Sequence, residues 1–331
     1  MSTVGHTRLR RETNWVCLDH GDVQAADTGD GYLPSWGMPV WQDTFQGANG
    51  SAPDAARWYR RGLPGSDYYL SNTDRQGIIQ RDNAYIEDGK LVLKTERRDT
   101  PLTPDAYTRW YDTAYIDTMP RGGFSGYEQR YGRWEARVHS LNPGNTAGMW
   151  SAFWLRTNQD GGEIDIFEHV GTPTGRDENG GTTGSWPYAS RFPSNGSGSQ
   201  CVFFEQTGQT NNQPGNAYHE SRYPLPTPYN DWHVYACEWT PDRISCYCDG
   251  IMVGEVRRGQ RPVNYQGQPN NNLDDGAKIL DGGFGGSAKA HIRLDVHVGF
   301  PGYGMASETY TQSPHYFYVD YVRIWEWNGQ V

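Results

Sequence analysis

Gly161-Gly162-Glu163-Ile164-Asp165-Ile166-Phe167-Glu168-His169 reads as a strand entered from a glycine turn, yet it carries three acids within six residues. Strands ordinarily disfavour Asp and Glu, so the pattern is odd for a half-buried segment. Side chains alternate along a regular strand, which puts Glu163 and Asp165 on one face and Glu168 on the other. A bulge of one residue, at Ile166 or Phe167, resets that parity and brings Glu168 back beside its partners. Glu163 and Glu168 then stand about four strand positions apart, roughly 13 Å along the backbone, a gap that two leaning Glu side chains largely close. Three acids this near cannot all ionise at their usual pH, and one is expected to keep its proton. The preceding segment, Gly148 to Leu155, carries Trp150 and Trp154 at the same four-residue interval, which sets both rings on one face beside the acids.

Outward from this stretch the strand signal recurs. Val40 to Phe45, Ala84 to Ile86, Leu91 to Thr95, Tyr131 to His139, His233 to Trp239, Ile244 to Cys248, His291 to Val298 and Tyr316 to Trp325 are short, alternating and bounded by turns, the pattern of an all-β sandwich. Asp88-Gly89 predicts a tight hairpin turn and Thr240-Pro241-Asp242-Arg243 a second one. No segment sustains a 3.6-residue apolar period, so helix content is expected to be low. Residues 1–35 are polar and rich in Gly and Asp and read as an extension packed on a domain of residues 36–331. The Gly- and Asn-rich stretches 171–228 and 260–286 read as loops at the rim of a cleft, with Cys201 to Phe204 as the one strand inside the first.

Composition narrows the partner. A formal charge of -10 with few lysines excludes a phosphate-backbone ligand, and 13 Trp with 22 Tyr suit the flat C–H faces of sugar rings. No apolar run approaches the ~20 residues that cross a bilayer, and the first fifteen residues hold no signal-peptide core. Of the five cysteines, Cys246 and Cys248 share a strand face and Cys237 lies on the preceding strand, which admits a cross-strand bridge. The reading preferred here is three small buried hydrophobes, with no histidine spacing for zinc.

The segments EIDIFEH at Glu163–His169, YGRWEAR at Tyr131–Arg137, GMWSAFWL at Gly148–Leu155, WHVYACEWTPDRI at Trp232–Ile244 and VDYVRIW at Val319–Trp325 together resemble glycoside hydrolase family sixteen, the laminarinase and agarase group. WQDTF at Trp41–Phe45 and NAYIEDGKLVL at Asn83–Leu93 extend the resemblance over about residues 40–325. It implies a β-jelly-roll sandwich of two antiparallel sheets with a concave substrate cleft, and retaining, endo-acting hydrolysis of a β-linked polysaccharide. Carried over by position, Glu163 is the nucleophile, Glu168 the general acid/base and Asp165 the assisting acid. Trp150, Trp154, His169, Trp186 and Trp239 are the implied sugar-binding set.

The six-residue spacing of the acids is similar to laminarinases, agarases, porphyranases and carrageenases rather than to the short-motif mixed-linkage glucanases. The GMWSAFW and EWTPDRI wording favours a β-1,3-glucan, with an endo-β-galactanase as the alternative. Leu294 to Pro301 departs from the Asn-Leu-Ala-Val-Gly-Gly segment of laminarinases, and so does the loop through Trp186. The resemblance implies no cofactor for catalysis, and for some members a structural calcium held partly by the acid standing at Asp320. A monomer acting outside the cell, secreted or virion-associated, is the expected setting, without nucleic-acid or membrane partners. A transglycosylase and a non-catalytic lectin are the rival readings of the same scaffold. The presence of both Glu163 and Glu168 speaks against the lectin.

Overall fold

The computed structural model describes residues 29–62, 75–141, 148–158, 162–170, 198–205, 218–224, 232–260, 280–299, 305–306, 311 and 313–329. In chain order the strands are β1 (Trp41–Asp43), β2 (Tyr59–Arg60), β3 (Gly77–Ile79), β4 (Ala84–Glu87), β5 (Lys90–Leu102), β6 (Arg109–Thr113), β7 (Tyr115–Asp117), β8 (Gly132–Leu141) and β9 (Met149–Thr157). They continue with β10 (Gly162–Val170), β11 (Gly198–Glu205), β12 (Tyr218–Pro224), β13 (His233–Trp239), β14 (Arg243–Cys248), β15 (Ile251–Arg257), β16 (Ala290–Val298) and β17 (His315–Glu326).

These strands form two open sheets packed face to face, the expected jelly-roll sandwich. The larger runs β15-β14-β13-β8-β17-β5-β6-β3, with β1 and β4 attached to β17 and β5. The smaller runs β12-β11-β10-β9-β16-β7-β2. Pairing is antiparallel except between β3 and β6, which run parallel at the end of the larger sheet.

Turn chemistry sets the hairpins. Asp88 and Gly89 both take positive φ, 49° and 68°, the geometry that lets a two-residue turn join β4 to β5 without splaying them. Thr240 closes the β13–β14 turn, its N–H donating to the Arg243 carbonyl at 2.9 Å. Gly162 opens β10 where a Cβ would lie 2.6 Å from the Gly283 carbonyl, so only glycine allows that approach.

The core lies between the sheets. Phe153, Leu155, Ile164, Ile166, Phe167, Ile292 and Leu294 come from the smaller sheet, and Trp134, Tyr235, Trp239, Phe317, Val319 and Ile324 from the larger. Phe167 ties the two together, with ring centroids 4.7 Å from Tyr235 and 5.6 Å from Phe317. Residues 29–37 wrap the edge: the Trp325 indole donates to the carbonyls of Gly31 (3.1 Å) and Gly37 (3.2 Å). Residues 1–28 of the expected extension lie outside the described residues.

Two expectations are corrected. The stretch 171–228 holds both β11 and β12, which pair with each other and continue the smaller sheet beyond β10. Cys237 and Cys248 are buried free thiols as expected, but Cys246 is disulfide-bonded, so it is a cross-link rather than a third small hydrophobe.

Candidate active site

The register of the smaller sheet places the acids. Along β10 and β9 the partners are Glu163 with Arg156, Ile164 with Leu155 and Asp165 with Trp154. The ladder then skips Ile166 and resumes with Phe167 on Phe153 and Glu168 on Ala152. Ile166 is the bulge residue. It shares the core face with Ile164 and Phe167, and the skipped position returns Glu168 to the face of Glu163 and Asp165. The same register continues across β16, where His291, Arg293, Asp295 and His297 stand opposite Arg156, Trp154, Ala152 and Trp150. On β7, Tyr115 and Asp117 stand opposite Asp295 and Arg293. Side chains directly opposite one another share a face, so the acids, two tryptophans and the polar residues of β16 and β7 line one surface of the sheet, away from the core.

Polar contacts organise this surface. Arg156 Nη1 donates to Glu163 Oε2 at 2.5 Å. Burial, and then the charges of Glu168, Glu163 and Asp295, hold the Asp165 carboxyl well above the usual carboxylate range. Asp165 therefore keeps its proton to higher pH than an ordinary carboxylic acid. The Trp154 indole donates to Asp295 Oδ1 at 3.2 Å, and His297 Nε2 lies 2.9 Å from Asp295 Oδ2. Ala152, opposite Glu168 and Asp295, is the small residue in this row. Three carboxyls on one ridge, the middle one held above its ordinary range, are the parts that acid/base and nucleophilic chemistry at an acetal carbon require.

The other expected site residues fall into three groups. Trp150 and Trp154 share the surface of the acids, although a face of Trp154 is taken by the Arg293 guanidinium, 4.6 Å from its ring centroid. Trp239 does not share the surface of the acids: it is 1% exposed, packed on Trp134 in the core, because it follows Glu238 by one residue and so points to the opposite side of β13. His169 sits in β10 opposite Ser151, and Trp186 lies outside the described residues.

Asp320, the acid implied at a calcium ion, instead holds Arg137 Nη1 at 2.7 Å, an ion pair whose guanidinium competes with a cation. Among the described residues the one group with metal-ligand spacing is His233, Cys248 and Asp249, and there His233 Nδ1 already meets Asp249 Oδ2 at 2.7 Å. The residues that sequence reading did not bring to the site are Arg156, His291, Arg293, Asp295 and His297. Their signal was present in the strict alternation of polar His, Arg, Asp and His with apolar Ile, Leu and Val from His291 to Val298.

A jelly roll with this ridge of acids and tryptophans on one sheet face defines a class, the carbohydrate-active β-sandwiches, and similarity makes the assignment specific. The model of "Glycosyl hydrolases family 16" matches residues 73–283. The chain belongs to that family. It is 25% identical to the glucan endo-1,3-beta-glucosidase A1 of Niallia circulans, over 93% of this chain and 40% of the relative. It is 27% identical to a beta-glucanase of Rhodothermus marinus, over 89% of this chain and 86% of the relative. The chain thus spans about two fifths of the first of these proteins and most of the second. The fold superposes on porphyranase B of Zobellia galactanivorans with a TM-score of 0.61 and 18% identity, covering 90% of this chain and 96% of that one.

Proposed function

We propose that this chain is a retaining endo-glycosidase that hydrolyses internal β-linkages of a polysaccharide. The observation that carries the reading is the bulged ridge: Glu163, Asp165 and Glu168 on one face of β10, with Trp150 and Trp154 on the neighbouring strand. Glu163, oriented by the Arg156 guanidinium, attacks the anomeric carbon as its C–O bond to the leaving sugar breaks, and a covalent glycosyl-enzyme forms. Glu168 protonates the departing oxygen. It then takes a proton from water, which releases the sugar with the starting configuration. Asp165, protonated, supplies a hydrogen bond between them.

A β-1,3-glucan is the first substrate, supported by the GMWSAFW and EWTPDRI segments and by the relatives' names. An endo-β-galactanase is the second reading, favoured by the charged cleft surface of β16 where laminarinases carry an uncharged segment. Polymers of both kinds are met outside the cell, by a secreted or virion-associated enzyme. The test is a panel of laminarin, lichenan, agarose, porphyran and carrageenan with products sized. The expected result is internal cleavage of at least one, lost in both Glu163→Gln and Glu168→Gln. Near wild-type cleavage by both variants would overturn the assignment.

A further inference from the structure

We propose that the outer face of the larger sheet carries a second polysaccharide-binding site, an aromatic strip that holds a neutral β-glycan chain on the side of the sandwich away from the acids. It rests on the hydrolase reading only for the choice of polymer. Register and parity define the strip. Tyr85 of β4 and Tyr318 of β17 both stand opposite Val92 of β5, and Tyr318 stands opposite His139 of β8. Beyond His139 comes Trp232, just before β13, its ring centroid 5.4 Å from that of the imidazole. The residues flanking this row along the strands, such as Ile86, Leu93, Phe317 and Val138, belong to the core, so alternation turns the row outward. Val92 is fully buried on this outward face, a floor between the flanking rings. Tyr85, His139, Trp232, Tyr316 and Tyr318 are each partly exposed.

The form of the strip fits a sugar chain. Tyr316, two residues before Tyr318 on the same face, sets its ring within 19° of parallel to it at 5.8 Å. His139 and Trp232 lie tilted against Tyr318 at 6.1 and 6.5 Å, and the Arg137 guanidinium, 4.6 Å over the Trp232 ring, fixes that indole. Half-open rings offer apolar faces to the C–H surfaces of a pyranose chain, and their hydroxyl, imidazole and indole edges offer partners to its hydroxyls. Burial, and then the charge of Glu87 and the neighbouring tyrosines, pushes Tyr85 up to about 12, so its hydroxyl stays a donor at working pH. Charge selects a neutral polymer: Arg137 pairs with Asp320 at 2.7 Å and Lys94 with Glu96 at 2.8 Å, while Glu87 stands opposite Lys90, three cations against three anions at the rim. Size argues against a protein partner. Four strand spacings span about 19 Å, roughly four sugar rings, and with a width near ~10 Å the described strip covers about 200 Å², a quarter of the ~800 Å² per partner in a stable protein interface. Both sheets and the core separate the strip from the acids, so a chain held here keeps the enzyme on its polymer and raises the local concentration of linkages.

The test uses the full chain with Trp232→Ala and Tyr318→Ala combined, two residues remote from the acids. Parent and variant are compared for retention on particles of insoluble β-1,3-glucan and on agarose beads, both neutral, and for cleavage of the same polymers as particles and as short soluble oligosaccharides. On the polymer that retains the parent, the variant is expected to lose retention at least about tenfold and to cleave the particles more slowly, while its rate on the oligosaccharides stays within about twofold. Circular dichroism melting shows that each protein is folded. If the double variant does not fold, Tyr316→Ser at the edge of the strip takes its place, with an expected loss of about threefold. Failure of both polymers to retain the parent, or unchanged retention of the variant, overturns the strip and leaves the hydrolase reading standing. A concentration-dependent dimer of the parent that the variant abolishes also overturns it, assigning the rings to a second copy of the chain. Equal losses on particles and oligosaccharides do the same, because the substitutions then act through the fold. Retention lost in the variant, with no cleavage of any β-glycan by the parent, would remove the hydrolase reading and keep this one.

Discussion

The bulge at Ile166 invites two opposite perturbations of the same strand. Removing Ile166 leaves Asp165 opposite Trp154, Phe167 opposite Phe153 and Glu168 opposite Ala152, a regular ladder in which all three acids stay on the cleft face. Inserting one glycine between Phe167 and Glu168 turns Glu168 towards the core instead. Ile166 is fully buried, so its loss empties a site worth about 2–5 kcal/mol and lowers the Tm by roughly 3–7 °C. The acids shift by an amount of order 1 Å, which costs catalysis about 10²-fold. The insertion removes Glu168, the proposed general acid, from the face of the other two acids, a further loss of about 10²–10⁴-fold, and asks the core to take a carboxyl. Cleavage should thus be measurable at about 1% in the deletion and absent in the insertion. Both are checked by reducing-end release from the best substrate, with circular dichroism to show that each protein is folded. If a folded deletion variant is as inactive as the insertion, the bulge does something other than align the acids.

Asp165→Asn separates stability from chemistry. The Asp165 carboxyl is held above its ordinary range, so from about pH 4 upward the unfolded chain gives up this proton before the folded one, and the native state loses stability as pH rises through the folded value. Asparagine removes that loss. The variant's Tm advantage over the parent should grow between pH 4 and pH 8 while kcat falls by about 10²-fold, and a constant Tm difference would contradict the raised value. On the outer face, Arg133 joins Glu135 (2.7 Å) and Glu238 (2.9 Å) in a nearly buried network, so Arg133→Met should cost about 3–5 kcal/mol in urea unfolding. Trp325→Phe leaves the carbonyls of Gly31 and Gly37 without their indole donor and should cost about 1–3 kcal/mol, with faster proteolysis near residues 29–37.

Much of this was legible in the sequence because alternation and turn chemistry are local. The strands carrying the acids and the tryptophans, and the hairpin at Asp88-Gly89, follow from residues within a few positions of one another. Asp249-Gly250 carries the same turn signal and both residues take positive φ, yet the strand it leads into, β15, lay outside the expectation. Strands β3 and β7 are three residues long and β2 only two, too short to show a period, and β3 pairs in parallel with a strand thirty residues on.

Site residues divided along the same line. The bulge was forced by parity within one segment, whereas Arg293 and Asp295 belong to the site only through pairing with β9, more than a hundred residues away. Trp239 shows the opposite failure. Aromatic residues serve cores and sugar cleaves alike, and only the side of the strand on which a ring falls tells them apart. Glu238 beside it, engaged by Arg133 and Arg243 on the outer face, marks that side.

The central claim is that Glu163 forms a covalent bond to the sugar and Glu168 serves the proton transfers. The most direct measurement is incubation with an activated 2-deoxy-2-fluoro glycoside of the preferred polymer's repeat, followed by peptide mapping and by NMR of the first product released from the natural substrate. The account predicts a label on Glu163 and a first product of unchanged anomeric configuration. A label on Glu168, or an inverted first product, would contradict it.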